Sequence, residues 1–495
     1  MSMTDSAVLG PGQARSQTAP TRPLRAAAIC VSVAVIAFTV PFAEHALVVG
    51  GVLGMLLCLI VPAWYRWQSG RFDAFETIHV VGFVYFVFFG LGSVWTQSDP
   101  SQVAYDKFLL SYLPRSTLYC LVGYVALLAG YFGPWFGPRA KREQIIVPTG
   151  TRFLAVLTAI GFAGGLSKVI WSTAKDLGTT STWYVSTLNQ LTPLFFFVWA
   201  LGCILVMFGR ATPGQRRIFW FALVPGTALF LGMSLSDKSL AMTLIGVPVM
   251  TLWYVKRRLP WVSLTALVLL LIFGIFPFYN TFRSLDPHLP RGRRVGLTLS
   301  LARTWDRHEY MENSVGKLKE RLSVVNSVAV VVRDTEKGWV EYAGGDTLFL
   351  PSMVYFIPRA FWRDKPTFRM GREFGEKFRV VHILDPDTNI AVTVPGELYW
   401  NFGLTGIVLG MGLWGVALRG LYRRYGEGLG VDPIRLAVHM LLLIQFVHFG
   451  GGLAAEGVTV FRTIVLIEVF CWVSLRLGLL TVQPVPQGRD AALPS

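Results

Sequence analysis

The chain has 495 residues, of which 53% are hydrophobic and 15% charged, and its mean hydropathy is +0.51. A soluble protein of this length would form roughly three domains with charged surfaces, and there are too few polar residues to cover them, which excludes most soluble-enzyme and nucleic-acid readings. The net charge of +16, from 45 Lys and Arg against 29 Asp and Glu, then has two sources to weigh: orientation in a bilayer, because Lys and Arg collect in cytoplasmic loops, and an anionic substrate or lipid headgroup.

Residues 1–24, rich in Ser, Thr, Pro and Gly, read as a disordered cytoplasmic tail. A spanning helix needs about 20 mainly apolar residues. Nine candidates occupy residues 25–280, at 26–43, 46–64, 75–95, 115–136, 153–171, 185–208, 217–235, 239–255 and 261–280. Arg22 and Arg25 precede the first, as in a signal peptide, but no good small-x-small cleavage site follows, so a retained helix is expected. After a long connection at 281–395, three further candidates, 396–418, 435–453 and 460–480, lie within 396–480, and a cytoplasmic tail follows at 481–495. The expected fold class is an all-α integral membrane protein with about twelve transmembrane helices and one large, partly helical loop. Cys30, Cys58, Cys120, Cys203 and Cys471 all fall in apolar stretches, with no metal-binding or disulfide spacing, and read as small core residues.

With the N-terminus in the cytoplasm, the inner segments hold 21 Lys and Arg, whereas the short outer connections hold only Lys107, Arg115, Lys168, Lys175, Lys238 and Arg462. Both termini are then cytoplasmic and the 281–395 connection is external. That connection carries 18 Lys and Arg against 14 Asp and Glu. Orientation does not account for this surplus; a negatively charged partner on the outer face does. The loop opens with Arg283 and a basic, turn-rich run through Pro287, Pro290, Arg291, Arg293 and Arg294. From about 303 to 333, Val315, Leu318, Leu322 and Val325 recur at helical spacing. Gly344 and Gly345 break it, and Asp346 or Thr347 is placed to cap the next helix. The stretch 348–362 is too short to span and reads either as an interfacial helix at the outer surface or as a core helix of a folded loop domain. From Arg369 to Val394 charge mixes with extended-looking runs. Asp385-Pro386-Asp387 matches an Asp-x-Asp metal motif, but Asp-Pro is a common turn starter, and the turn reading is preferred.

The segment from Gly344 to Arg424 resembles the Wzy-type oligosaccharide repeat-unit polymerases of bacterial O-antigen and exopolysaccharide synthesis. Three features carry the resemblance: Ile357-Pro358-Arg359 with Trp362 and Lys365-Pro366; Gly396-Glu397-Leu398-Tyr399 with Asn401-Phe402-Gly403 and Gly406; and Ser236-Asp237-Lys238-Ser239, where relatives often have Gly at the position of Ser239. The family has ten to fourteen spans and a large late periplasmic loop. The resemblance implies a GT-C-like bundle in the bacterial inner membrane. It also implies a glycosyltransferase that moves a growing glycan from undecaprenyl pyrophosphate to another lipid-linked repeat unit on the periplasmic face. The implied partners are the lipid-linked donor and acceptor, membrane lipids and a chain-length regulator protein, with no nucleic acid and no cofactor. Ligases that move the finished glycan to a lipid A core or to protein share the layout. A transporter is the rival from another class, but the two halves show no repeat.

The residues suit that chemistry. Departure of pyrophosphate builds negative charge that preorganised cations stabilise, and the arginine fork binds phosphate oxygens in pairs. Arg283, Arg359 and Lys365 lie beside predicted membrane ends, Arg333 and Arg372 lie deeper in the loop, and Lys238 sits between spans seven and eight. The attacking hydroxyl needs a general base. Glu397, at the outer mouth of the tenth span, is the first candidate, and His382 and Asp387 follow; a helix-start charge is the competing role for Glu397. His439 and His448 lie in the eleventh span, and Glu456 and Arg462 bracket its outer exit. Trp339, Tyr342, Tyr355 and Trp362 are placed to stack on sugars or to sit at the interface.

Overall fold

The computed structural model describes residues 44–99, 107–137, 144–176, 183–233, 238–256, 291–304, 307–357, 370–382, 389–427, 432–447 and 452–484, with isolated positions between 265 and 289 and between 361 and 368. The described chain is almost wholly helical. The first half contains α1 (Glu44–Gln68), α2 (Thr77–Ser98, with a π-helical turn at Phe86–Leu91) and α3 (Leu113–Phe132). It continues with α4 (Arg152–Asp176), α5 (Thr192–Met207), α6 (213–233) and α7 (Lys238–Lys256). The middle holds α8 (Arg291–Thr304), α9 (Arg307–Leu322), α10 (Val325–Glu336), α11 (Asp346–Phe356) and α12 (Met370–Lys377). The last part is α13 (Val394–Leu421), which ends in a π-helical turn at Tyr422–Gly426, then α14 (Pro433–Phe446) and α15 (Leu453–Arg476). Among the described residues, seven helices are long and apolar enough to cross a bilayer: α1 to α5, α13 with its π turn, and α15. This is the pattern of an all-α membrane protein. α7 and α14 contain shorter apolar runs. The expected spans at 26–43 and, apart from isolated positions, 261–280 lie outside the described residues.

Helix pairing rests on small residues. α3 and α13 make the most extensive contact. A Cβ at Gly130 would fall 2.0 Å from the Gly412 carbonyl oxygen, and one at Gly415 would fall 2.1 Å from that of Leu127. Only glycine lets the two backbones approach so closely, which is how apolar helices gain packing where lipid offers no hydrophobic drive. At the turn between α1 and α2, buried acids tie the bundle together. Asp73 accepts from Trp253 Nε1 and the Tyr254 hydroxyl, both at 3.0 Å, and Glu76 accepts from Arg66 at 2.9 Å and from Tyr131 at 3.0 Å. His439 Nε2 lies 3.0 Å from the Phe75 carbonyl, so this histidine is a hydrogen-bonded packing residue. Cys58, Cys120, Cys203 and Cys471 are buried and unbridged, as their apolar settings predict; Cys30 lies outside the described residues.

The structure departs from the sequence reading in five places. The basic run from Arg291 is helix α8 rather than turn, because no proline follows Pro290 and the Thr298 hydroxyl bonds back to the Arg294 carbonyl within the helix. The helical stretch at 303–333 is interrupted at Ser323. Neither Asp346 nor Thr347 caps α11: Gly345, at φ 108°, takes the cap position without a side-chain bond. Residues 370–377, in a stretch read as charge mixed with extended-looking runs, form α12, and its Phe374, with Phe378 just beyond it, packs on Trp400. Finally, α15 begins at Leu453 rather than near 460, so Glu456 and Arg462 lie within it instead of bracketing an exit. The only described sheet is one antiparallel pair, Gln144–Pro148 with Leu480–Pro484, in the register Ile146 opposite Val482. It takes up the first residues of the expected C-terminal tail.

Candidate functional site

Glu397 stands in the first turn of α13, behind a helix start that the sequence builds with care. Thr393 is the N-cap, and its hydroxyl accepts from the Gly396 amide at 3.1 Å. Thr393 holds φ at 65°, a conformation that only surrounding packing sustains in a β-branched residue. Pro395 fills the second position of the turn, where a missing N–H costs nothing. Seven residues on, Phe402 and Gly403 leave helical geometry and kink α13.

The Glu397 side chain is fully buried. Its Oε2 accepts the Leu453 amide at the start of α15, and the Ala454 amide and Thr347 hydroxyl also act on it. The carboxylate therefore sits where the positive ends of two helices converge, those of α13 and α15. Gly452 makes that approach possible: it has φ 80°, and a Cβ there would fall 2.8 Å from Glu397 Oε2. Gly452→Ala is expected to destabilise the protein by about 1–3 kcal/mol, from left-handed strain and the clash together. A purified variant with an unshifted unfolding temperature would show that this contact is slack.

Polar bonds weld the neighbouring segments to this point. Asn401 Oδ1 accepts the Gly345 amide at 2.8 Å, and its Nδ2 donates to Thr347 Oγ1 at 2.6 Å and to the Glu397 carbonyl at 2.7 Å. From α11, Tyr355 donates to the Phe368 carbonyl at 2.9 Å. Burial holds its phenol above the ordinary value, helped by the Glu373 and Glu397 carboxylates, so Tyr355 acts as a neutral donor. Between α11 and α15 runs an apolar groove of about 460 Å³, lined in part by Leu348, Phe356, Leu453 and Phe461. Leu453 thus joins the groove to the carboxylate.

A second polar group adjoins it on α13. Tyr399 donates to Glu336 Oε1 at 3.2 Å, and Arg115 forms an ion pair with Glu336 Oε2. Tyr119 stacks on Tyr399 at 5.4 Å, and Lys337 lies 4.4 Å from the centre of the Trp339 ring. Trp339 and Tyr342 are exposed, so an aromatic surface stands beside a half-buried carboxylate.

The other expected site residues are spread more widely. Arg333 is buried on α10, with its Nε 2.7 Å from Asp334. Arg372 bonds Glu376 at 2.6 Å on α12, the helix that packs on the start of α13. His382 is exposed just beyond α12. Lys238 opens α7. Arg283, Arg359, Lys365, Asp385, Asp387 and His448 lie outside the described residues. Glu397 was expected at an open mouth; it is covered instead, because the first turn of α15 is helical and closes over it. Sequence reasoning, which placed Thr347 only as a helix cap, missed its bonding to Glu397, and it missed Gly452 and the grouping of Arg115, Glu336 and Tyr399. A Thr after a Gly-Gly pair and a Gly before an apolar run were visible signals, but nothing local pairs residues 115 and 336. Among the described residues, no three or more His, Cys, Asp or Glu converge as a metal site. Comparison with protein-family models, curated proteins and solved structures finds no match to this chain.

Proposed function

We propose that the chain is a membrane glycosyltransferase that polymerises oligosaccharide repeat units carried on undecaprenyl pyrophosphate. One observation carries the reading. The stretch opening α13, one of the three that resemble Wzy-type polymerases, meets the start of α11, the helix that leads into the second of them at Ile357, through Asn401, Gly345 and Thr347 around the buried Glu397. A polyprenyl-linked donor presents a sugar to water, a pyrophosphate to the interface and a tail to lipid. The apolar groove beside Leu453 suits the tail, the basic residues following α11 suit the pyrophosphate, and Trp339 with Tyr342 suits the sugar faces. In this reading Glu397 is the general base, and substrate reaches it when α11 or the first turn of α15 shifts. Twelve spans, cytoplasmic termini and an external 281–395 loop belong to the same proposal. Deleting the gene and sizing lipid-linked glycans tests it. Single repeat units support a polymerase, long unattached chains point to a ligase, and unchanged glycans remove both.

Reporter fusions at Gly214 and Gly428 are expected to report cytoplasm, and a fusion near Gly316 the outside. A cytoplasmic signal near Gly316 would take away the basis for an external active site. Arginine and lysine are able to neutralise the leaving pyrophosphate, so purified protein is expected to stay active in EDTA. Loss of activity restored by Mg²⁺ or Mn²⁺ would instead make Asp385 and Asp387 the leading ligands.

A further inference from the structure

At the end of α13 remote from Glu397, about 40 Å along a helix that rises 1.5 Å per residue, four apolar helices meet. α3 and α13 end there, α14 begins and α15 passes. Between them lies a cavity of about 690 Å³. We infer that this cavity binds the phosphate headgroup of an anionic phospholipid. The inference does not depend on the reaction proposed above.

Three arginines and one carboxylate line the cavity: Arg423, Arg424, Arg435 and Glu468. The first two are aimed by the π-helical turn Tyr422–Gly426, which inserts a residue into the helix and rotates those that follow. Such turns are common where a side chain must be redirected for function. Each arginine is held in place. Arg423 donates to the Gly137 carbonyl at 2.7 Å and lies 3.8 Å from Glu427; Arg435 lies 3.3 Å from Asp432; Arg424 reaches Glu468 at 2.9 Å. The Tyr425 hydroxyl also donates to Glu468, at 2.5 Å. A guanidinium has five N–H donors, so an arginine already positioned by a carboxylate can still present a fork to phosphate oxygens.

The rest of the lining says which phosphate. Ile434, Val438, Ile467 and Cys471 continue the cavity between α14 and α15, an apolar floor that suits the start of an acyl chain and offers nothing to a free anion. Trp135 and Phe136 stand exposed at the rim, as aromatic residues do at headgroup depth. A charged mouth over an apolar floor, at the level where spanning helices end, matches a phospholipid rather than inorganic phosphate.

Native mass spectrometry of the full-length protein in neutral detergent tests this, with phosphatidylglycerol, phosphatidylcholine or inorganic phosphate added at equal concentration. Phosphatidylglycerol should be retained at least about fivefold better than phosphatidylcholine, the preference expected from one basic residue at a membrane surface. Arg424 has a side chain 63% exposed, so Arg424→Gln leaves the core intact and should lower that retention about fivefold. Arg435→Lys, which keeps the charge and removes the fork, should lower it as well. Arg476→Gln, at the exposed end of α15 and outside the lining, should not. Equal retention of both lipids, or no change in both Arg424→Gln and Arg435→Lys, would overturn the site. Displacement of phosphatidylglycerol by inorganic phosphate would overturn the lipid as its ligand.

Discussion

Arg359→Ala and Arg283→Ala should each abolish glycan extension while the protein still inserts and accumulates. In the proposed reaction the step to be accelerated would release a pyrophosphate, and charge would grow on its oxygens as the bond to the anomeric carbon breaks. Removing one preorganised donor from such a site typically costs about 10²–10³-fold in turnover, enough to leave only single repeat units on a gel. Arg359 follows the last residue of α11, Phe356, by three positions, within about 10 Å of extended chain, and α11 packs along α15 beside the Glu397 cluster. Arg359→Lys should rescue poorly, because an ammonium lacks the paired contact of the fork. Protein level measured on the same membranes separates lost chemistry from lost folding. Full extension in both alanine variants would show that the pyrophosphate is held elsewhere. Lys365 and Lys238 would then be examined next, followed by Arg372 and Arg333, which are already bonded to Glu376 and Asp334.

The spanning helices were legible because hydropathy over some twenty residues integrates a large signal. α1 to α4, α6, α7 and α13 fall within about five residues of the stretches read from composition, and α5 starts seven residues into its own. The start of α15 was not legible. Gly450 to Gly452 read as the end of the eleventh span and the small residues Ala454, Ala455 and Gly457 as a connection, whereas α11 and Glu397 pack against that turn, which is helical. The strand pair was hidden for a similar reason: residues 144–148 find their partner more than three hundred positions away, at 480–484, and short apolar runs carry no preference on their own. The site was half visible. A carboxylate opening an apolar run is expensive unless it is used or paired, so Glu397 stood out. Its partner did not, because a backbone amide carries no sequence signature and Leu453 lies 56 residues away. Arg115 and Glu336 are separated by 221 residues, and charge counting had assigned one to orientation and the other to the loop.

Glu397→Gln distinguishes the two roles that the geometry allows this carboxylate. As a general base, Glu397 takes the proton of the attacking hydroxyl, and such groups contribute about 10²–10⁴-fold, so turnover should fall by about that much with donor binding nearly intact. As a helix-end anchor, it is stabilised by the converging N-termini of α13 and α15. Loss of its charge would then cost about 0.3–1 kcal/mol, rising toward about 2 kcal/mol in a buried setting, with turnover per folded molecule unchanged. Glutamine keeps the shape, and its carbonyl oxygen still accepts the Leu453 amide, so the substitution removes the charge and the basicity without orphaning that donor. Glu397→Ala removes both and should cost a further 1–3 kcal/mol or so for a buried amide left unsatisfied. Extension rate, donor binding and unfolding temperature measured on the same purified samples give the three readouts needed. A glutamine variant that turns over normally, together with an alanine variant that is merely less stable, would assign Glu397 to architecture alone. The base would then be sought at His382, which is exposed beyond α12 and so open to an acceptor without any helix moving, with Asp387 after it. His382→Ala, assayed in the same way, would carry the loss of rate that Glu397→Gln had failed to show.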